Sequence, residues 1–274
     1  MAVIAINQQI GSRGRELGRL LADHLNYRFL VGEDIIAQTA SRYDVPAREL
    51  RIIDERHLHF WERLKTDMER LYAHMRAVAL VEMAKDRVVM VGKSFSLMVP
   101  QQAHHALRVR AIAPLAQRVA QVALEENVDG ATAERRVINS DREERARIHA
   151  LLGKDPDDAS LYHLVINTAA LPFSRLVTML AGCIEACDRG ADAAARELIN
   201  DHALAALVRS ALLAHPRFGN APIEVSARCG AVSLSGECLT PPWDELAIQV
   251  ASEVEGVTSV ELIVFSPTPP ERLV

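Results

Sequence analysis

The sequence predicts an α/β fold: a mostly parallel sheet with helices on both faces, followed by a small α+β unit. Three observations predict it. Residues 3–16, Val-Ile-Ala-Ile-Asn-Gln-Gln-Ile-Gly-Ser-Arg-Gly-Arg-Glu, pass from a β-branched apolar run through a turn holding Gly11 and Gly14 into an amphipathic series, Leu17, Leu20, Leu21 and Leu25. Strand-like and helix-like segments then alternate as far as about residue 187, the pattern of parallel strands joined by crossover helices. Beyond Gly190 the pattern changes to two alternating strands, a helix and a last strand. The expected division is residues 1–190 and residues 198–267.

Taken in order, residues 2–6 form the first core strand and Leu17–Leu25 the first helix. Tyr27–Val31 is a short strand and Glu33–Tyr43 a helix. Pro46 fits the first turn of another helix, where its missing N–H costs nothing. Residues 54–85 are helical, with Leu58, Trp61, Leu64, Met68, Leu71, Met75, Val78 and Val81 recurring at threes and fours, a core stripe. Arg87–Val91 is a buried strand bounded by Gly92, and Arg108–Ala113 a second, stopped by Pro114. Leu115–Glu126 and Thr132–Leu152 are helices, the latter highly charged. Tyr162–Asn167 is a strand and Pro172–Cys187 a helix. An alanine-rich helix, 192–214, ends in the break His215-Pro216-Arg217-Phe218-Gly219-Asn220. Ile223–Ala227 and Ala231–Ser235 alternate apolar and polar residues across Arg228-Cys229-Gly230. Pro241-Pro242 precedes helix 243–254, which turns Leu246, Ala247, Val250, Ala251 and Val254 inward. Gly256 stops it, and Val257–Phe265 is the last strand.

The bulk properties exclude several classes. The 274 residues are 49% hydrophobic and 24% charged, enough for a sizeable core, and the net charge of −5 argues against a nucleic-acid partner. No apolar run is long enough for a transmembrane segment. The N-terminus has no basic region ahead of its apolar stretch, so it reads as a strand and not a signal peptide, and a cytoplasmic location is expected. The four cysteines, Cys183, Cys187, Cys229 and Cys238, read as free thiols; no His or Cys completes a metal site around the first pair. The histidines, His57, His59, His104 and His105 among them, show no paired metal spacing.

A glycine turn between a strand and a helix directs backbone N–H groups and a helix N-terminus at one point, and that point suits phosphate. The pattern is altered from GxxxxGK[ST]. Asn7 stands at the first glycine, and arginine replaces the lysine.

Residues 3–182 resemble the cytidylate-kinase-like family of P-loop nucleoside monophosphate kinases. Gly11-Ser12-Arg13-Gly14-Arg15-Glu16 is similar to its GSGGRE loop, and Val88 to Lys93 to its VIVGRG strand and turn. Arg108 to Pro114, followed by Arg118, is similar to its HVRLVAP block. Asp141 to Gly153 and Leu161 to Thr168 resemble its lid and YDLVLNT strand. Residues 200–266 resemble a BON domain, a small module known from bacterial proteins, through Val225, Gly230 to Gly236, Ala247, Ala251 and Val254 to Val257. Gly230 suits a tight turn, and Gly256 a helix end with positive φ.

The resemblance implies a P-loop fold that binds ATP with Mg²⁺ and a nucleotide acceptor. Gly11, Ser12, Arg13, Gly14, Arg15, Glu16 and Arg118 are the expected ATP-binding residues. Arg13 or Arg15 would supply the charge of the missing lysine. No residue is assigned to the metal, although Ser12 and Glu16 stand nearby. Arg142, Arg145 and Lys93 are the expected catalytic residues. Arg135, Arg142 and Arg145 share one face of the charged helix, where lid arginines close over phosphates; the same residues also read as a solvated, ion-paired face. Glu33, Asp34 and Arg110 are the expected acceptor-binding residues, with Gly32 where the family carries an aspartate. The function implied is phosphorylation of CMP, dCMP or a similar monophosphate. The altered loop supports an alternative, a nucleotide-binding regulatory protein whose BON domain docks a protein or lipid surface. A third reading is a fusion in which neither half binds nucleotide.

Overall fold

The computed structural model describes residues 2–55, 65–189, 193–219, 221–236 and 242–263. In chain order the elements are β1 (Val3–Gln8), α1 (Gly14–Leu25), β2 (Arg28–Val31), α2 (Gly32–Tyr43), α3 (Ala47–Glu55), α4 (Lys65–Ala84), β3 (Val88–Gly92), α5 (Phe95–Met98), β4 (Ala106–Ile112), α6 (Leu115–Glu126), α7 (Gly130–Leu152), β5 (Leu164–Asn167), α8 (Phe173–Arg189), α9 (Ala193–Ala214), β6 (Glu224–Arg228), β7 (Ala231–Ser235), α10 (Trp243–Ser252) and β8 (Ser259–Ile263).

The first five strands form one sheet in the order β2-β3-β1-β4-β5, every pairing parallel. Parallel strands buried on both faces read as continuous apolar runs, and Ala2 to Ile6 and Val88 to Val91 are all buried. The chain leaves β1 for the far edge, returns beside it as β3, then crosses to its other side as β4. That reversal is the topological switch at which ligands of such sheets sit, outside the carboxyl ends of the strands.

Two cores flank this sheet. One face packs on α1 and α8 through Leu17, Leu21, Leu176 and Leu180. The other packs on α2, α3 and α4 through Ile35, Leu50, Met75 and Leu80. This second core also takes Ile199, Ala203 and Ala206 from α9. The opposite side of α9 contributes Val208 and Leu212 to a third core beneath β6-β7-β8, with Phe218, Val232, Leu234 and Ala247. One helix therefore serves both sheets. His74 on α4 meets Ser210 on α9, Nδ1 to Oγ, at 2.5 Å, and stacks on Tyr43. Burial pushes the His74 imidazole down to about 4.

In the small sheet β6 and β7 are antiparallel and β7 and β8 parallel. Cys229 and Gly230 form the hairpin turn with φ of 49° and 86°, the left-handed pair that such a two-residue loop requires.

Several boundaries differ from the sequence reading. Asp129 caps α7 by accepting from the Thr132 N–H, so the helix begins at Gly130 and not at Thr132. Tyr162 caps the 3-10 turn Ala159–Leu161, its N–H bonded to Ala159 O, which delays β5 to Leu164. The short helix α5 has no counterpart in the sequence reading. Of the expected helix 54–85, residues 65–84 form α4 and residues 54–55 end α3, while Leu58, Trp61 and Leu64 lie outside the described residues, as do His57, His59, Cys238, Pro241 and Phe265. Among the described residues no helix is long and apolar enough to cross a membrane.

Candidate active site at the strand ends

β1 lies between β3 and β4, and its register sets Asn7 beside Gly92 on one side and Arg110 on the other. Past these positions the chain turns through Gln9 to Arg13 into α1. Gly11 has φ +73°, and a Cβ there would lie 2.5 Å from the Arg118 carbonyl oxygen. Gly14 sits against Gln8 and Ala111, with 2.8 and 3.0 Å to an added Cβ. The Thr168 hydroxyl, beyond β5, donates to the Ser12 carbonyl at 2.6 Å. The backbone of the turn is thus met from three directions, by the Arg118 main chain, the Gln8 and Ala111 side chains and the Thr168 hydroxyl.

α1 starts without a side-chain cap. Arg13, at its N-cap, is left-handed with φ 56°. The first N–H groups of a helix have no internal carbonyl, so those of α1 face outward from the strand ends. The Ser12 hydroxyl is buried and has no hydrogen-bond partner among the described residues. An uncapped helix start with an orphaned hydroxyl beside it suits phosphate oxygens, and the same hydroxyl suits a metal ion that bridges them.

Across the opening lies α7 with the loop that follows it. Arg110, on β4 and almost wholly buried, donates to Glu144 Oε1 at 2.5 Å and to Asp157 Oδ1 at 3.4 Å. Burial opposes its charge, but the Glu144 carboxylate, with Tyr162 and Asp157, holds the guanidinium above its ordinary value. Arg145 reaches the other oxygen of Asp157. Burial works against the Asp157 carboxylate, yet the two arginines keep it below the usual range. Arg118 makes a two-pronged bond to Asp141, 2.8 Å on each side, and also donates to Ala113 O. Asn7 Nδ2 donates to the Tyr162 hydroxyl, which donates to Pro156 O at 2.8 Å, tying the end of β1 to the loop after α7. Lys93 follows β3, half-buried, near enough for its charge to act on Glu144.

The expected site residues divide accordingly. Gly11, Ser12, Gly14, Arg118, Arg110, Lys93 and Arg145 gather around this opening. Arg142 is exposed on α7 and makes no ion pair among the described residues. The side chains of the remaining five are held elsewhere. Arg13 bonds Glu16 through two 2.8 Å contacts and lies 4.6 Å over the Phe173 ring. Arg15 pairs with Glu33 at 3.4 Å. Asp34 accepts from the Val31 N–H at 2.8 Å and so caps its own helix.

Sequence reasoning missed Asp157, Tyr162 and Thr168. The run Asp155-Pro156-Asp157-Asp158 was a signal for the first, because acids crowded in a turn after an arginine-rich helix have cations within reach. Among the described residues no cluster of three or more His, Cys, Asp or Glu side chains is arranged to hold a metal ion.

Residues 3–170 match the model of the cytidylate kinase-like family. The chain belongs to that family. Residues 200–264 match the BON domain. Two curated relatives carry the name cytidylate kinase. That of Methanopyrus kandleri is 26% identical over 67% of this chain and 93% of its own, and that of Thermococcus kodakarensis 27% identical over 61% and 79%. A crystal structure of an uncharacterized protein from Eubacterium ventriosum superposes with a TM-score of 0.50 at 15% identity, covering 68% of this chain and 99% of that one. That likeness is one of fold. In this cytidylate kinase-like chain the matched region ends just beyond Thr168, so α9 and the small sheet are additions to it.

Proposed function

We propose that this protein transfers the terminal phosphoryl group of ATP to a nucleoside monophosphate of the CMP or dCMP type. The observation that carries the reading is the placement of Arg110 and Arg145 around Asp157, opposite the uncapped start of α1. Phosphoryl transfer asks a protein mainly to align phosphates and to stabilise spreading negative charge. The N–H groups of Gly14 and the residues after it bind the donor phosphates, and the Ser12 hydroxyl takes Mg²⁺ or a phosphate oxygen. ATP, when bound, supplies the group transferred. The acceptor phosphate takes the place of the Asp157 carboxylate between Arg110 and Arg145. Lys93 adds charge from the end of β3, Arg142 closes from α7, and Arg118 positions that helix through Asp141. The two cytidylate kinase relatives support the acceptor class. Residues 1–190 carry the reaction and residues 198–267 the docking function, with α9 shared between them.

The test is incubation of the purified protein with Mg-ATP and a panel of nucleoside monophosphates, following ADP and diphosphate formation. Multiple turnovers on CMP or dCMP, lost in Arg142→Ala, are expected. One observation favours a second reading: both loop arginines are paired with surface acids, which leaves the loop without a cation of its own. On that reading the protein binds nucleotide as a regulator, and its BON domain docks a protein or lipid partner. ATP binding without turnover on any monophosphate selects it.

A further inference from the structure

A cavity of about 480 Å³ opens between α4, the end of α7 and α9, away from the strand ends. It shares no residue with the Gly11 turn, and two of its lining residues, Ala206 and Arg209, come from the BON-matched part of the chain. Its volume falls in the range that holds small-molecule ligands.

The lining is amphipathic. Leu97 and Leu151 supply apolar wall, while Arg76, Arg209 and Lys154 bring three cations against a single acid, Glu69, which is exposed. Arg209 donates to the Ile223 carbonyl, which anchors its guanidinium without neutralising it. Arg76 makes no hydrogen bond or ion pair among the described residues. Burial pushes its guanidinium down, with the charge of Arg209 adding to the effect. The Tyr72 side chain is 8% exposed, and its hydroxyl is buried with no partner among the described residues. A buried hydroxyl and a half-buried guanidinium left unpaired each cost free energy that a bound anion would recover.

We infer that this cavity binds a small organic phosphate, at a site built jointly by the kinase-like region and α9 and separate from the strand-end opening. Arg76 and Arg209 hold the phosphate, Tyr72 donates to it, and the leucines cover its carbon body. The inference stands apart from the proposed reaction, since no residue is common to the two sites. The cavity is nevertheless connected to the opening. Leu97 packs with Tyr162 in one small core, and Tyr162 is bonded to Asn7. Occupancy between α4 and α9 thus bears on the strand ends.

The experiment is NMR of the isotope-labelled full chain, titrated separately with inorganic phosphate, CMP and acetate. Phosphate and CMP are expected to shift amide signals of Ala73, Arg76, Leu151 and Arg209 along a saturation curve of their own. Arg76→Gln is expected to weaken that curve about tenfold or more, as for loss of a charged hydrogen bond. Lys154→Gln, on the rim, gives a second reading if Arg76→Gln fails to fold. Shifts confined to Gly11–Arg15 would overturn the second site while supporting the first. Equal shifts from acetate would overturn the assignment to phosphate, and unchanged curves in both variants the assignment to these residues.

Discussion

The two sides of the strand-end opening are built by different means. The turn between β1 and α1 is fixed at its backbone by uncharged neighbours: Gly11 on the Arg118 main chain, Gly14 on the Gln8 and Ala111 side chains, and the Ser12 carbonyl under the Thr168 hydroxyl. The α7 side is fixed by charge: Arg110 on Glu144, Arg118 on Asp141, and Arg145 on Asp157. Even the helix starts differ, since Asp129 caps α7 and nothing caps α1. Backbone contact holds a turn in one place at any ionic strength. Ion pairs can exchange partners when a charged ligand enters, so the fixed side suits the donor phosphates and the exchangeable side a closing lid.

The sharpest way to break this contrast is Glu144→Ala. It leaves the buried Arg110 guanidinium without its 2.5 Å partner and with only the longer contact to Asp157, a loss approaching the ~3–5 kcal/mol of a broken buried pair, read as a lower denaturation midpoint together with loss of activity. Gly11→Ala comes next. A side chain at φ +73° costs about 1–3 kcal/mol, and the contact with the Arg118 backbone obliges the turn to move, so calorimetry should show weakened ATP binding. Arg145→Ala sharpens the contrast, because its ion pair is exposed: melting temperature should hold while activity falls. Acid should act on the same bridge. The folded-state pKa of Asp157 lies below its ordinary value of 3.8, so the bridge's contribution is fully present above about pH 4 and is lost as pH falls through the lower, folded value. Hydrogen-exchange protection factors of residues 153–158, each corrected for the intrinsic exchange rate, should fall between pH 6 and pH 3, while those of the Gly11 turn are kept. The smallest effect belongs to Asp129→Ala, a slight drop in melting temperature with ATP binding unchanged.

The sequence made the backbone-built side far more legible than the charge-built side. Gly11 and Gly14 announce a turn because few other residues tolerate those conformations and contacts, and the apolar strands name themselves by their runs. Which acid meets which arginine is decided by three-dimensional neighbours, and the spacing of Arg110, Glu144 and Asp157 carries no such record. Arg13 and Arg15 look available for phosphate in the sequence because Glu16 and Glu33 are assigned there to ligand binding, whereas in the fold they pair with these arginines. A change of pattern near residue 190 is visible in the sequence. The double service of α9 is not, since Ile199, Ala203 and Ala206 face one core and Val208 and Leu212 another, spreading apolar residues around the helix instead of along one stripe.

That shared helix has a consequence for the order of synthesis. α4 leaves the ribosome long before α9, and at about 5–20 residues per second its outer face waits several seconds for Ile199, Ala203 and Ala206 to emerge. During that interval the nascent chain carries its strand ends but keeps an apolar face uncovered, a surface open to a chaperone or to a neighbouring nascent chain. The last third of the chain thereby sets the moment at which the first two thirds can finish folding.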